Sequence, residues 1–222
     1  AAVVVIGFQA WLGKMVVKGH LDRDLVSIHM FVSMVVVALF VIVAVTSRDV
    51  PEKPALLDRA WTGKIAIGAL FVLGVSVLGS IVHNMYFPGW PLVDGHLVPD
   101  LTSTHPLTIH WYHRVVAGSV FVYLVWLAWQ AARAERPLSE RRHVNAALIL
   151  YMINMALGLL HVLTRVESSW VVASHLLIAS MAWAALVAAA SLSFHDPRHE
   201  SGRDVAQAHS PRTGSGISRD SG

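Results

Sequence analysis

The sequence contains no cysteine. This excludes a disulfide framework, a thiolate metal site, an iron–sulfur cluster and the covalent attachment of a c-type haem. Charge is scarce: 14% of the 222 residues are Asp, Glu, Lys or Arg, against about 25% in soluble domains. Hydrophobic residues make up 55% of the chain and the mean hydropathy is +0.57, a balance that points to a membrane protein. The fourteen carboxylates fall between apolar runs, at run ends or in the C-terminal tail, and none lies mid-run. Proton-coupled transporters and pumps carry a buried acid, so this distribution counts against transport. It also leaves no obvious general base inside the apolar region. An initiator Met and a hydrophilic lead-in are missing as well. The abrupt start predicts a fragment cut within or just before a helix, and no basic n-region or cleavage-like end marks a signal peptide.

Six apolar runs are present, A at 1–17, B at 25–46, C at 61–87, D at 107–132, E at 144–163 and F at 170–194. Each is long enough, or nearly so, to span a bilayer. The expected fold is an all-α integral membrane protein with six transmembrane helices. The polar tail, 195–222, is expected to be disordered and cytoplasmic. The pI near 9.5 does not signal nucleic acid, because the basic residues sit between the runs. Twelve Lys and Arg fall in the B–C and D–E regions and the tail, and five on the opposite side. By the positive-inside rule both ends of the chain are cytoplasmic, and the A–B, C–D and E–F loops face out.

The organising stretch is 104–116, where His105, His110, His113 and Arg114 mark the outer start of run D. Ionisable groups at that depth are read as functional by default. His113 lies seven residues after Pro106, His175 five after Trp170 and His29 five after Asp24, so all three sit roughly 7–10 Å inside their helices. A pair of histidines at matched depth on facing helices of a four-helix bundle can clamp a planar macrocycle, and imidazole is a standard axial ligand of haem iron. His113 and His175 form that candidate pair. Arg114 can pair with a haem propionate, since guanidinium suits carboxylates. A lone membrane histidine is more often a packing residue, which weakens the case for His29, whose partner is not visible. His110 is either the ligand itself or a hydrogen-bond partner of His113. His83 and His161 read as interfacial polar residues, and Gly74, Gly79 and Gly118 as sites of close helix packing.

A repeat is also legible. Gln9-x-x-Leu12-Gly13 precedes His29 by sixteen residues from the glycine, and Asn154-x-x-Leu157-Gly158 precedes His175 by seventeen. Runs A–B and E–F therefore read as copies of one hairpin. Residues 1–50 are expected to be such a hairpin from an incomplete first four-helix repeat, and 51–194 a complete second repeat.

Taken together these residues resemble the haem A synthase family of cytochrome oxidase assembly. The resemblance rests on Gln9-x-x-Leu-Gly with His29, on Leu78-Gly79, and on the outer loop Phe87-Pro-Gly-Trp-Pro-Leu-Val-Asp-Gly95. It continues through His113-Arg114-Val-Val-Ala117 and Leu157-Gly158 to Ser174-His175, and covers nearly all of the chain but the tail. It implies a haem-binding bundle in runs C–F and a cofactor, haem b, with its iron held by His113 and His175. It also implies an oxidoreductase that converts haem O to haem A, oxidising a ring methyl to a formyl group through successive hydroxylations. His29 becomes a candidate ligand of the substrate haem, and the chain an N-terminally truncated member, by itself inactive. The resemblance further implies a bacterial inner-membrane location and supply by haem O synthase, and is compatible with a homo-oligomer. Many members carry cysteines at the positions of Phe87 and Val93, which excludes a loop disulfide here. The alternative is a b-type electron-transfer cytochrome. Such a protein needs ligand pairs at both membrane faces, whereas these candidates cluster at one.

Overall fold

A computed structural model describes residues 2–20, 22–47, 58–83, 89–101, 106–164 and 168–194. The tail 195–222, His105 and Arg165 lie outside the described residues. The chain forms six helices: α1 (Ala2–Lys18), α2 (Arg23–Thr46), α3 (Arg59–His83), α4 (Pro106–Arg133), α5 (Leu138–Leu163) and α6 (Ser169–Phe194). Five of them, α2 to α6, are long and apolar enough to cross a membrane. With 17 residues, α1 extends about 25 Å, short of the ~30 Å hydrocarbon core.

Local chemistry sets the boundaries. Asp22 caps α2 by accepting from the backbone N–H of Asp24 at 3.0 Å and of Leu25 at 3.2 Å, which satisfies donors that the first turn leaves open. Asp58 does the same for α3 through the Trp61 N–H at 3.0 Å. After α4 the chain turns through Glu135 at φ +47°, and the Arg136 N–H returns to the Ala131 carbonyl.

Helices α3 and α5 each pack against α4 and α6, so the four close a ring. Among the described residues α4 and α6 do not pack on each other, nor do α3 and α5; they face each other diagonally. Helix α2 lies outside this ring against α3 and α6, and α1 packs on α2. The core is apolar and tightly closed, with Trp61, Ile65, Val72, Leu124, Leu127, Ala147, Ala182 and Leu186 buried, joined by Met34 from α2. Outward positions such as Leu70, Val122, Ile149 and Leu177 are exposed, as lipid-facing residues are. Ser80 donates to Ser27 at 2.9 Å and fixes the register of α3 against α2. Hydrogen bonds between membrane helices hold partners in place because hydrocarbon supplies no competing acceptor.

Helix α5 begins six residues before the expected run E, and so includes Glu140. That carboxylate is 4% exposed and accepts from the Trp61 indole Nε1 at 2.8 Å.

Candidate functional site

His29, His113 and His175 occupy the seventh, eighth and seventh positions of α2, α4 and α6. All three therefore lie at one depth, near the end of the molecule that carries the α1–α2, α3–α4 and α5–α6 connections. His113 and His175 belong to the diagonal pair of the ring, the helices that face each other without packing together. His113 lies within electrostatic reach of His175, His110 and Arg114.

Each of these histidines is seated on a glycine of the preceding helix. A methyl group at Gly79 would lie 3.1 Å from His113 Cε1, one at Gly13 3.2 Å from His29 Cε1, and one at Gly158 3.5 Å from His175 Cε1. The residue four before each glycine, on the same helix face, also meets the ring. The Gln9 side chain lies 3.0 Å from His29 Nδ1 and donates to the His29 carbonyl at 3.1 Å. The backbone of Val75 meets His113, and that of Asn154 meets His175. Thus α3–α4 carries the same seat as the two hairpins recognised by sequence, with Val75 where the others have an amide. The long loop between Gly79 and His113 hides that third copy. Gly79 owes its closeness to a histidine ring, whereas nothing lies within 4 Å of a methyl group at Gly74 or Gly118, so these two positions are open rather than closely packed.

Several polar atoms in this region are buried with no hydrogen-bond partner among the described residues: His113 Nδ1, His175 Nδ1, Asn154 Oδ1 and Gln9 Oε1. Buried polar groups are normally satisfied, so such a concentration asks for a ligand or water. His161, expected at the interface, instead sets its ring edge-on to His175 with centroids 5.1 Å apart. Tyr151 lies one turn below Asn154 and donates to the Ala117 carbonyl at 3.0 Å.

Arg114 donates to the carbonyls of Gly89 at 2.5 Å and Pro91 at 3.4 Å. Trp111 Nε1 donates to Leu97 O at 3.1 Å and Thr108 Oγ1 to Asp100 O at 3.2 Å. Spaced by three, these side chains follow one face of α4 and pin the loop 89–101 beside the histidines. Nothing in the sequence signals this role of Thr108 and Trp111, because backbone acceptors leave no motif. His29 sits apart on α2, held by Gln9 and Gly13 of α1. No cluster of three or more His, Asp or Glu suited to an all-protein metal site occurs among the described residues. The donor set is instead pairs of imidazoles.

Comparison with known proteins identifies relatives of the sequence. The profile of the cytochrome oxidase assembly protein family COX15-CtaA covers residues 1–187. The chain is 25% identical over 184 residues to the heme A synthase of Rhizobium meliloti (strain 1021), covering 74% of this chain and 50% of that protein. It is 34% identical over 103 residues to the heme A synthase of Methylobacterium nodulans, covering 44% and 27%. Against that of Listeria welshimeri it is 24% identical over 198 residues, covering 83% and 63%. The chain spans about half the length of the first of these relatives. With the profile matched across all six helices, the chain belongs to the COX15-CtaA family of cytochrome oxidase assembly proteins.

Proposed function

We propose that this chain takes part in haem A biosynthesis, in the oxidation of the ring methyl of haem O to a formyl group for cytochrome oxidase assembly. The ring α3–α6 is the haem-binding second repeat, and α1–α2 is the closing hairpin of an incomplete first, homologous repeat. The observation that carries the reading is the pair His113 and His175, level with each other on the two helices that face across the ring without packing together. The chemistry of the donors fits haem b. Both are imidazoles, and they stand at matched depth on helices that face each other across the ring. Haem, when bound, supplies one-electron and oxygen chemistry.

The chain's own residues do the rest. His113 and His175 would hold the iron, each backed by a glycine and a backbone group of the neighbouring helix. Arg114 uses two of its five donors on loop carbonyls, and its remaining N–H groups suit a propionate. His29 would serve haem O in the incomplete first repeat. Ligation through Nε2 needs the proton on Nδ1. The Gln9 amide then turns toward that proton its oxygen, the atom now buried without a partner. The match takes in about half of the Rhizobium meliloti relative, and turnover is expected only with the remaining segment of such proteins present. The setting is a bacterial inner membrane with both ends of this chain cytoplasmic, and haem O synthase is the supplier of substrate.

The electron-transfer alternative requires a second ligand pair at the inner end. There the described histidine, His143, places Nδ1 2.8 Å from the Ser139 carbonyl. The test is a visible spectrum of the detergent-purified chain, oxidised and reduced, with pyridine haemochrome analysis. A low-spin b-type spectrum that disappears in His113→Ala and His175→Ala is expected. A colourless chain after haem addition, or unchanged haem content in both variants, overturns the reading.

A further inference from the structure

Of the eleven glycines among the described residues, three face a histidine ring, and these are Gly13, Gly79 and Gly158. They share a sequence position, each following a leucine in the last turns of the helix that precedes the histidine helix. We propose that these three glycines are positioning residues, whose missing side chains seat the imidazoles and set how firmly each is held. The proposal rests on the haem-ligand reading for the purpose of the seat, whereas the seat itself is a property of the protein without haem.

The three seats are graded. At 3.1 and 3.2 Å, Gly79 and Gly13 leave no room for a methyl group unless the ring gives way. At 3.5 Å, Gly158 leaves ordinary van der Waals contact. Small residues let membrane helices approach closely, but here the close object is a ring rather than a backbone. His113 is therefore the rigidly held ligand of its pair, and His175 the compliant one. The compliant ring is also the one that meets a second histidine, His161, edge-on, so its surroundings on that side are side chains that can shift. For His29 the seat is reinforced by Gln9, which spans the ring nitrogen, the His29 carbonyl and Ser33.

A general packing role makes a different prediction. If Gly79 served only helix approach, alanine there would harm the protein whatever residue stands at 113. Gly68 is the control. It faces the Tyr123 ring at 3.2 Å, far from the histidines, so the effect of Gly68→Ala must be independent of His113.

The experiment uses the full chain in detergent and has two readouts. Without haem, thermal unfolding is measured for Gly79→Ala, His113→Ala and the double variant, with the same cycle for Gly158 and His175. Gly79→Ala is expected to lower the midpoint, and the loss to vanish in the His113→Ala background; Gly158→Ala should show little loss in either. If Gly79→Ala does not fold alone, recovery of folding in the double variant is the same result, and its absence overturns the seat. An equal loss from Gly79→Ala with and without His113 also overturns it. With haem, Gly79→Ala is expected to raise the dissociation constant about tenfold, equivalent to ~1.4 kcal/mol and within the usual cost of overpacking. It should also shift the low-spin electron paramagnetic resonance signal, and Gly158→Ala should shift it less. Equal shifts from the two variants overturn the grading. If no variant and no wild-type sample takes up haem, the haem reading fails, while the haem-free cycle still decides the seat.

Discussion

The two ends of the α3–α6 ring treat polar groups in opposite ways. At the end that carries the α4–α5 connection, called the inner end only as a label, they are paired. Trp61 donates to Glu140 at 2.8 Å, Thr62 and Ser193 share a hydrogen at 2.8 Å, and Lys64 donates to Gln130 at 2.9 Å. Arg136 pairs with Asp58 and lies over the Trp61 ring, 4.9 Å from its centroid; its Nε is buried without a hydrogen bond among the described residues. At the opposite, outer end the Nδ1 atoms of His113 and His175 and the Oδ1 of Asn154 have no hydrogen-bond partner among the described residues. A group that stabilises the fold is satisfied within it, and a group kept for a ligand is not. The inner end reads as the clamp of the bundle and the outer end as its working surface.

Substitution can break this contrast. The largest effect is expected at the outer end on haem and at the inner end on stability. His113→Ala should abolish haem binding yet lower the unfolding midpoint of the haem-free chain far less than Trp61→Ala does, since the ring it removes carries a buried nitrogen without a hydrogen bond. Trp61→Ala should cost about 3 kcal/mol or more by opening a cavity, with the haem content per folded molecule unchanged. Haem titration and thermal unfolding on each variant check both; a large stability loss from His113→Ala would sink the contrast. Glu140→Ala strands the buried indole N–H and should cost ~1–3 kcal/mol, whereas Glu140→Gln keeps an acceptor and should recover most of it.

The smallest effect is at Asp58. The Trp61 backbone N–H, with help from Arg136, holds its carboxyl below the usual aspartate value. Its contribution to stability is full above the unfolded value of about 4 and is lost as the pH falls through the lower folded value. The stability of wild type relative to Asp58→Asn should therefore be flat at neutral pH and converge only in strong acid.

Much of the helix order was legible in the sequence, because hydrocarbon demands long apolar runs and these stand out. The error at α5 has a physical cause. A hydropathy pattern reads Glu140, Arg141 and Arg142 as loop, but the Trp61 indole across the ring neutralises the cost of burying Glu140, and the helix runs through. The depth of the three histidines was legible from helical rise alone. The Gly79–His113 seat was not read as a copy, since its two halves lie 34 residues apart and its amide is replaced by Val75. His161 was assigned to the interface because sequence gives depth but not azimuth, and its azimuth brings it to His175.

The loop 89–101 is gripped by Thr108, Trp111 and Arg114 entirely through its own main-chain carbonyls. Every residue offers a carbonyl, so this grip is indifferent to which side chains the loop displays. Exposed loop positions such as Leu97 and Val98 can therefore change without loosening these bonds, whereas Gly89 and Gly95, at φ +89° and +81°, favour glycine. Where the resemblance sets a cysteine, this chain has Val93, 1% exposed. At that position the loop is held by burial and by main-chain hydrogen bonds, which do the anchoring without a covalent link.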